Sequence, residues 1–227
     1  MPILPLGPLP ASNVADEALV ARVLAGERQL FELLMRRNNA RLYRAIRSVV
    51  HDEDAVEELM QQTYVVAFTK LGQFSGGARF STWLLRIGLN EAFQKLRRTR
   101  RWPQAAPDAV EQEQSMADTD RPTPEQRLAR AQLHHLLQQL VDALPEPQRV
   151  VFVLREIEQL STAEVAEVLG LSADNVKQRL HRAKEALREG LEQRTGESLT
   201  ELFPFEAPRC DRVVAGALAR LPGTAPG

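Results

Sequence analysis

The sequence predicts an all-α fold of two small helical domains joined by a flexible linker, with a short C-terminal extension. Three observations carry that prediction. Apolar residues recur at helical spacing in nearly every patterned stretch, and the period-two alternation of a half-buried strand is absent. One stretch, 103–124, breaks the pattern: Pro103, Pro107, Pro122 and Pro124 flank acidic and polar residues without periodicity, the composition of a linker at a domain boundary. The charge changes with it. Residues 14–102 hold 15 Lys and Arg against 10 Asp and Glu, 103–124 hold 1 against 5, 125–196 hold 10 against 11, and the tail from 197 holds 3 against 4. A basic module and an acidic connector are thus concealed in a chain of formal net charge −1.

In the first domain, 14–102, apolar residues from Phe31 recur at Leu34, Met35, Leu42, Ile46 and Val49, which marks one helix. A second fits Asp54 to about Leu71, with Val56, Leu59, Met60, Thr63 and Ala67 on one side. Its other side carries Asp54, Glu57, Glu58, Gln61 and Gln62, an acidic-polar surface that by itself is only the wet face of an amphipathic helix. The stretch GQFSGGARF comes next, where Gly76-Gly77 signals a loop. A third helix runs from Phe80 to about Arg98. Residues 86–101 hold six bases, Arg86, Lys95, Arg97, Arg98, Arg100 and Arg101, against Glu91 alone. Phe74, Phe80, Trp83 and Phe93 lie in or before it. Bases beside aromatics near a Gly loop suit a surface that tracks phosphates and holds unstacked bases. The competing reading makes Trp83, Leu84, Ile87 and Phe93 core. We expect Phe80, Trp83 and Ile87 to be mostly core and the bases to be functional.

In the second domain, 125–195, helices resume at Glu125, with Leu128, Leu133, Leu136, Leu137, Leu140 and Leu144 leading to Pro145 and Pro147. A short helix holds Val150, Val151, Val153 and Leu154. The segment LSTAEVAEVLGLSADNVKQRLHRAKEALR then reads as a helix-turn-helix. Ser161 and Glu164 form a capping box, Ala166 is small where two helices cross, Gly170 supplies a left-handed turn, and Ser172 caps the second helix. Val165, Leu169, Leu171, Val176 and Leu180 are the expected core, extended by Ala183 and Leu187. The opposite face carries Asn175, Lys177, Gln178, Arg179, His181, Arg182 and Lys184, donors suited to phosphates and base edges in a major groove. The bland alternative is a helical hairpin with a solvated face. His134 and His135 lie on different helix faces, so we expect no metal there.

The remaining features exclude more than they assign. The lone Cys210 cannot form an internal disulfide, and no apolar run approaches a membrane span. Residues 1–13 are Pro-rich, lack the basic start of a signal peptide and read as disordered, so a cytoplasmic protein is expected. The tail, 196–227, is patterned: Phe203 and Phe205 flank Pro204, and Val213, Val214, Ala217, Leu218 and Leu221 make a helical stripe. An extended strap and a short helix are expected there, clamped onto a folded domain. No Gly-rich phosphate loop, metal-ligand spacing or nucleophile-base pattern supports an enzyme, and no cofactor is expected. A duplex-binding repressor or activator that uses the helix-turn-helix alone leaves the basic aromatic helix and the acidic-polar helix unexplained.

The segments VEELMQQTYVVAF, FSTWLLRIGLN and LPEPQRVVFVLREIEQLSTAEVAEVLGLSADNVKQRLHRAKEALR, in that order, resemble the extracytoplasmic-function sigma factors of the sigma-70 family across about residues 15–195. The resemblance implies that 14–102 is sigma region 2 and 125–195 sigma region 4. It implies a non-catalytic specificity subunit that directs core RNA polymerase to promoters and helps open them. Asp54, Glu57, Glu58, Gln61 and Gln62 would dock on polymerase, whose β′ and β subunits are the expected contacts. Phe74, Ser75, Gly76, Gly77, Ala78, Arg79, Phe80, Trp83, Arg86, Asn90, Arg97 and Arg98 would read the −10 element, with 75–78 as the loop that captures a flipped base. The helix from Ala173, with Ser172, Asn175, Lys177, Gln178, Arg179, His181, Arg182 and Lys184, would read the −35 element. The acidic linker resembles the segment that threads through polymerase, and an anti-sigma factor is an expected partner. Two features depart from the pattern: Gln62 stands where the family commonly has an acid, and the tail exceeds the two-domain minimum.

Overall fold

The computed structural model describes residues 14–101 and 124–195. The readings of the N-terminus, the linker, Cys210 and the tail, with its strap and stripe, lie outside the described residues. The protein is all-α, with eight α-helices and no strand among the described residues.

The first module holds α1 (Asp16–Leu24), α2 (Leu30–Arg47), α3 (Glu53–Thr69) and α4 (Phe80–Arg101). Helix α1 has no counterpart in the helices expected from periodicity. It places Asp16 and Glu17 in its first turn and Arg22 in its last, as the helix dipole favours, and buries Leu19, Val20 and Val23. Asp16 also ties it to α2, accepting hydrogen bonds from Arg37 at 2.9 Å and from the buried Asn38 at 3.0 Å. Helices α2, α3 and α4 enclose Leu34, Leu42, Ile46, Val56, Leu59, Ala67, Phe80, Leu84 and Leu89. Gly88 permits the closest approach of α4: a Cβ there would stand 2.6 Å from Leu42 Cδ1.

The second module holds α5 (Pro124–Asp142), α6 (Glu146–Phe152), α7 (Thr162–Leu169) and α8 (Ala173–Thr195). A π-helical turn, Val153–Ile157, continues α6. Leu140 near the end of α5 and Leu144 just beyond it are buried, whereas Leu133 and Leu137 are 53% and 46% exposed. Arg149 is buried because it terminates the preceding helix. Its guanidinium donates to the carbonyls of Asp142 and Leu144, at 2.8 and 2.9 Å.

One cluster of buried apolar residues spans both modules, and in it Val150, Val151, Leu154, Leu160, Val165, Val168 and Val176 join the core of α1–α4. Polar ties cross with it. Arg149 Nε donates to Ser48 O at 2.7 Å, and Arg47 bridges Glu53 and Asp142, each at 2.9 Å. The compact body built this way runs to Lys184. The described residues from Glu185 onward belong to a second unit and are the C-terminal part of α8.

Candidate nucleic-acid interface

The helix-turn-helix arises from local chemistry. Ser161 Oγ accepts the Glu164 N–H at 3.2 Å, while Glu164 Oε2 accepts the Ser161 N–H at 2.8 Å, so two orphan donors at the start of α7 are satisfied reciprocally. Gly170 ends α7 at φ 64° and ψ 38°, the left-handed region, and the Leu171 N–H returns to Ala166 O at 2.9 Å. Ser172 Oγ then accepts the Asn175 N–H at 3.2 Å and opens α8. Val165, Val176 and Ala183 are buried, with Leu169, Leu171 and Leu180 partly so. The outer face presents Ser172, Ala173, Asn175, Lys177, Gln178, His181, Arg182 and Lys184 as exposed residues. Arg179 departs from this set: it is half-buried and lines a shallow hollow with Phe93, Pro147 and Leu171. Two of the cations have local partners, Lys177 with Asp174 at 3.5 Å and Lys184 with Glu156 at 3.0 Å.

A second surface begins at the loop before α4. Phe74, Phe80 and Trp83 form an aromatic trio with ring centroids 5.5 to 5.9 Å apart. Their depths differ. Phe80 is fully buried, in keeping with the core placement expected for it, and its ring floors the site. The Phe80 N–H is held by Glu17 Oε1 at 3.0 Å, which anchors the start of α4 on α1. Phe74 and Trp83 are half-buried, Ala78 is half-buried, and Ser75, Gly76 and Gly77 are exposed, with Gly76 at φ 75°. Phe74, Ser75, Gly77, Ala78, Trp83 and Arg86 line a concavity with Gln73 and Thr82, whose remaining wall is Glu167 and Val168 of α7. Arg79 and Arg86 are exposed at its rim, and Asn90, Arg97 and Arg98 continue as exposed residues along α4.

The rim arginines are not idle. Arg79 contacts Glu164 at 2.5 Å, and Arg86 lies 3.9 Å from Glu167. Partial burial opposes ionisation of Glu164, yet the hydrogen bonds from Arg79 and Ser161 outweigh it and hold the carboxyl down to about 2. Sequence patterning assigns Glu164 to the cap alone. Its second role has no local signal, since Arg79 lies 85 residues away.

The third surface is the outer side of α3, where Asp54, Glu57, Glu58, Gln61 and Gln62 are all exposed. Gln61 donates to Glu57 at 3.2 Å. Helix α4 supplies two partners that the sequence did not indicate. Lys95 donates to Glu58 at 2.6 Å and lowers its pKa through that hydrogen bond, and Glu91 accepts from Gln62 at 3.1 Å. Val65 and Phe68 of the same helix are 67% and 39% exposed. Among the described residues no group of three or more His, Cys, Asp and Glu could hold a metal ion, and no helix is long and apolar enough to cross a membrane.

Two helical modules, one carrying a basic aromatic concavity and the other a capped helix-turn-helix, are the arrangement of a promoter-reading protein. The family description Sigma-70 region 2 matches residues 34–102, and Sigma-70 region 4 matches 134–187. The RNA polymerase sigma-H factor of Pseudomonas aeruginosa is 34% identical over 181 residues, 78% of this chain and 94% of that one. The ECF RNA polymerase sigma-E factor of Escherichia coli K12 is 30% identical with the same coverage. The solved structure of CnrH in complex with the cytosolic domain of CnrY superposes with a TM-score of 0.56 at 30% identity, covering 79% of this chain and 99% of that one. The chain belongs to the extracytoplasmic-function group of the sigma-70 family and is an RNA polymerase sigma factor, acting in promoter recognition and transcription initiation.

Proposed function

We propose that the three surfaces divide the work of initiation. The exposed face of α3, from Asp54 to Gln62, docks on core polymerase at its β′ and β subunits. The Phe74–Trp83 concavity, with Arg79, Arg86, Asn90, Arg97 and Arg98, holds the unstacked non-template strand of the −10 element, with the 75–78 loop around a flipped base. The outer face of α8 reads the −35 duplex. Polymerase performs the chemistry and this chain supplies none, acting in the cytoplasm beside it. A protein antagonist of the anti-sigma type is a further expected partner; the similar CnrH is solved in complex with the cytosolic domain of CnrY.

The observation that carries this reading is the pairing of two different nucleic-acid surfaces on one chain. The aromatic concavity has room for a base only if that base has left the helix. The α8 face, by contrast, is a convex row of donors suited to an intact groove. A repressor that binds duplex alone needs only the second. The test is reconstituted transcription with core polymerase and mapped start sites. Arg182→Ala is expected to weaken −35 duplex binding by about 1–3 kcal/mol if a bidentate base contact is lost. Trp83→Ala is expected to spare duplex binding and abolish opening, read by permanganate reactivity of unpaired thymines. Glu58→Lys with Gln61→Lys is expected to cut affinity for core enzyme. Opening that survives the loss of Trp83 removes the concavity from the mechanism, and unchanged affinity for core enzyme removes the α3 face.

A further inference from the structure

Helix α4 carries the concavity on its first turn, and that turn has no cap of its own. The Trp83 N–H bonds to Arg79 O at 3.1 Å, which puts Arg79 at the cap position. A guanidinium only donates, so it cannot accept from the N–H groups left free at a helix start. Its charge is also repelled by the positive end of the helix dipole, and the first turn holds no acid to offset it. The missing acceptor comes from another helix. Glu17 Oε1, 63 residues away in sequence, receives the Phe80 N–H at 3.0 Å.

Helix α1 holds that acceptor in place. Leu19, Val20 and Val23 fix it in the core. Asp16, the neighbour of Glu17, is committed to α2, where it accepts from Arg37 at 2.9 Å and from Asn38 at 3.0 Å. Arg37 also donates to the Val14 carbonyl at 2.6 Å, so the backbone entering α1 is tied as well. Two adjacent carboxylates thus serve two different helices, and α1 braces the start of α4 against α2. The braced turn bears the site. Phe80 packs against Phe74 and Trp83, with ring centroids 5.8 and 5.9 Å away, and those two are the half-buried rings.

We propose that Glu17 is a positioning residue for promoter opening, a helix cap supplied from α1 that fixes the Phe80 ring on which Phe74 and Trp83 rest. The inference rests on reading the concavity as the holder of an unstacked base, and it adds a residue that acts through Phe80 without touching DNA. The cost of ordering a site is subtracted from what the site can bind. A loosened first turn therefore weakens capture of the base more than it weakens the fold. Glu17 is itself exposed, so its replacement opens no cavity in the core.

The test compares Glu17→Ala with Glu17→Gln in the full chain. Glutamine keeps a carbonyl oxygen at the same reach and can accept the Phe80 N–H; alanine cannot. Hydrogen exchange across residues 79–84, read by mass spectrometry, is expected to accelerate in Glu17→Ala and to return to the parental rate in Glu17→Gln. With core polymerase bound, affinity for a fluorescent premelted −10 fragment is expected to fall in Glu17→Ala on the order of fivefold, the factor for one lost cap. Glu17→Gln is expected to restore it. Affinities for core polymerase and for −35 duplex should hold in both variants, whereas a merely structural role would lower all three together. Unchanged exchange in Glu17→Ala overturns the cap. A glutamine that fails to rescue overturns it too, because the charge and not the hydrogen bond would then be at work. Faster exchange with unaltered −10 affinity overturns the positioning role, and leaves the concavity standing if Trp83→Ala still abolishes opening. Capture that survives both Glu17→Ala and Trp83→Ala removes the reading of the concavity itself.

Discussion

The two modules bury their helices with unequal means. In the first, α2, α3 and α4 are 18, 17 and 22 residues long and close around a core that includes Leu34, Leu42, Ile46, Phe80 and Leu84. In the second, α6 and α7 are 7 and 8 residues long, and Val150, Val151, Leu154 and Val165 complete their burial within the cluster of the first. Helices this short have little stability of their own. Helices α6 and α7 are therefore specified by backbone devices, a cap, a left-handed glycine and a π turn, where the helices of the first module are specified by packing. Function obeys the same division. The concavity is built on a rigid floor, and the reading helix is aimed by a turn.

That contrast predicts a ranking of damage. The largest effect is expected from Phe80→Ala, which empties the floor of the first module and costs about 3–5 kcal/mol, measured by urea denaturation. Gly170→Ala is expected to cost less, about 1–2 kcal/mol, because only the left-handed turn suffers and nothing lies within 4 Å of the added methyl. Equal costs at these two positions would break the comparison.

The smallest effect concerns the contact between Arg79 and Glu164, and its sign is set by Glu164. Its folded pKa, about 2, is below the ordinary value of 4.5, so the unfolded chain binds more protons between them. The contribution is complete above 4.5 and is lost as the pH falls toward 2. An exposed pair of this kind contributes about 0–1 kcal/mol. The stability difference between the parent and Glu164→Gln, which can keep the cap, should therefore shrink as the pH falls through that window. A difference that is flat with pH would remove the Arg79 contact from the account.

Legibility in the sequence divides along the same line. The helix-turn-helix is readable residue by residue because Ser161, Glu164, Gly170 and Ser172 act on neighbours three or four positions away. Helix α1 escapes periodicity because Leu19, Val20 and Val23 are too few to establish a period. Phe80 fits both core and DNA in the sequence because an aromatic beside a glycine loop has the same spacing in either case. Its depth is decided by α1 and by Trp83. Leu133 and Leu137 continue a stripe whose buried part is Leu140 and Leu144, and periodicity cannot say where a stripe stops being covered. Glu158 is invisible as a buried charge, for its partners Arg41 and Arg44 lie 117 and 114 residues away.

The π turn has a further consequence for how this protein can change over time. A π turn carries one residue more than regular α-helix would need, so it is in effect a one-codon insertion accommodated within a helix. Loss of any one codon from Val153 to Ile157 would let the segment relax to α-helix and rotate the residues after it by about 100°. Glu158 would swing away from Arg41 and Arg44, while the cap and turn of the helix-turn-helix would remain spelled as before. Substitutions at Arg41 or Arg44 would weaken this contact by degrees; a three-nucleotide deletion would remove it in one event.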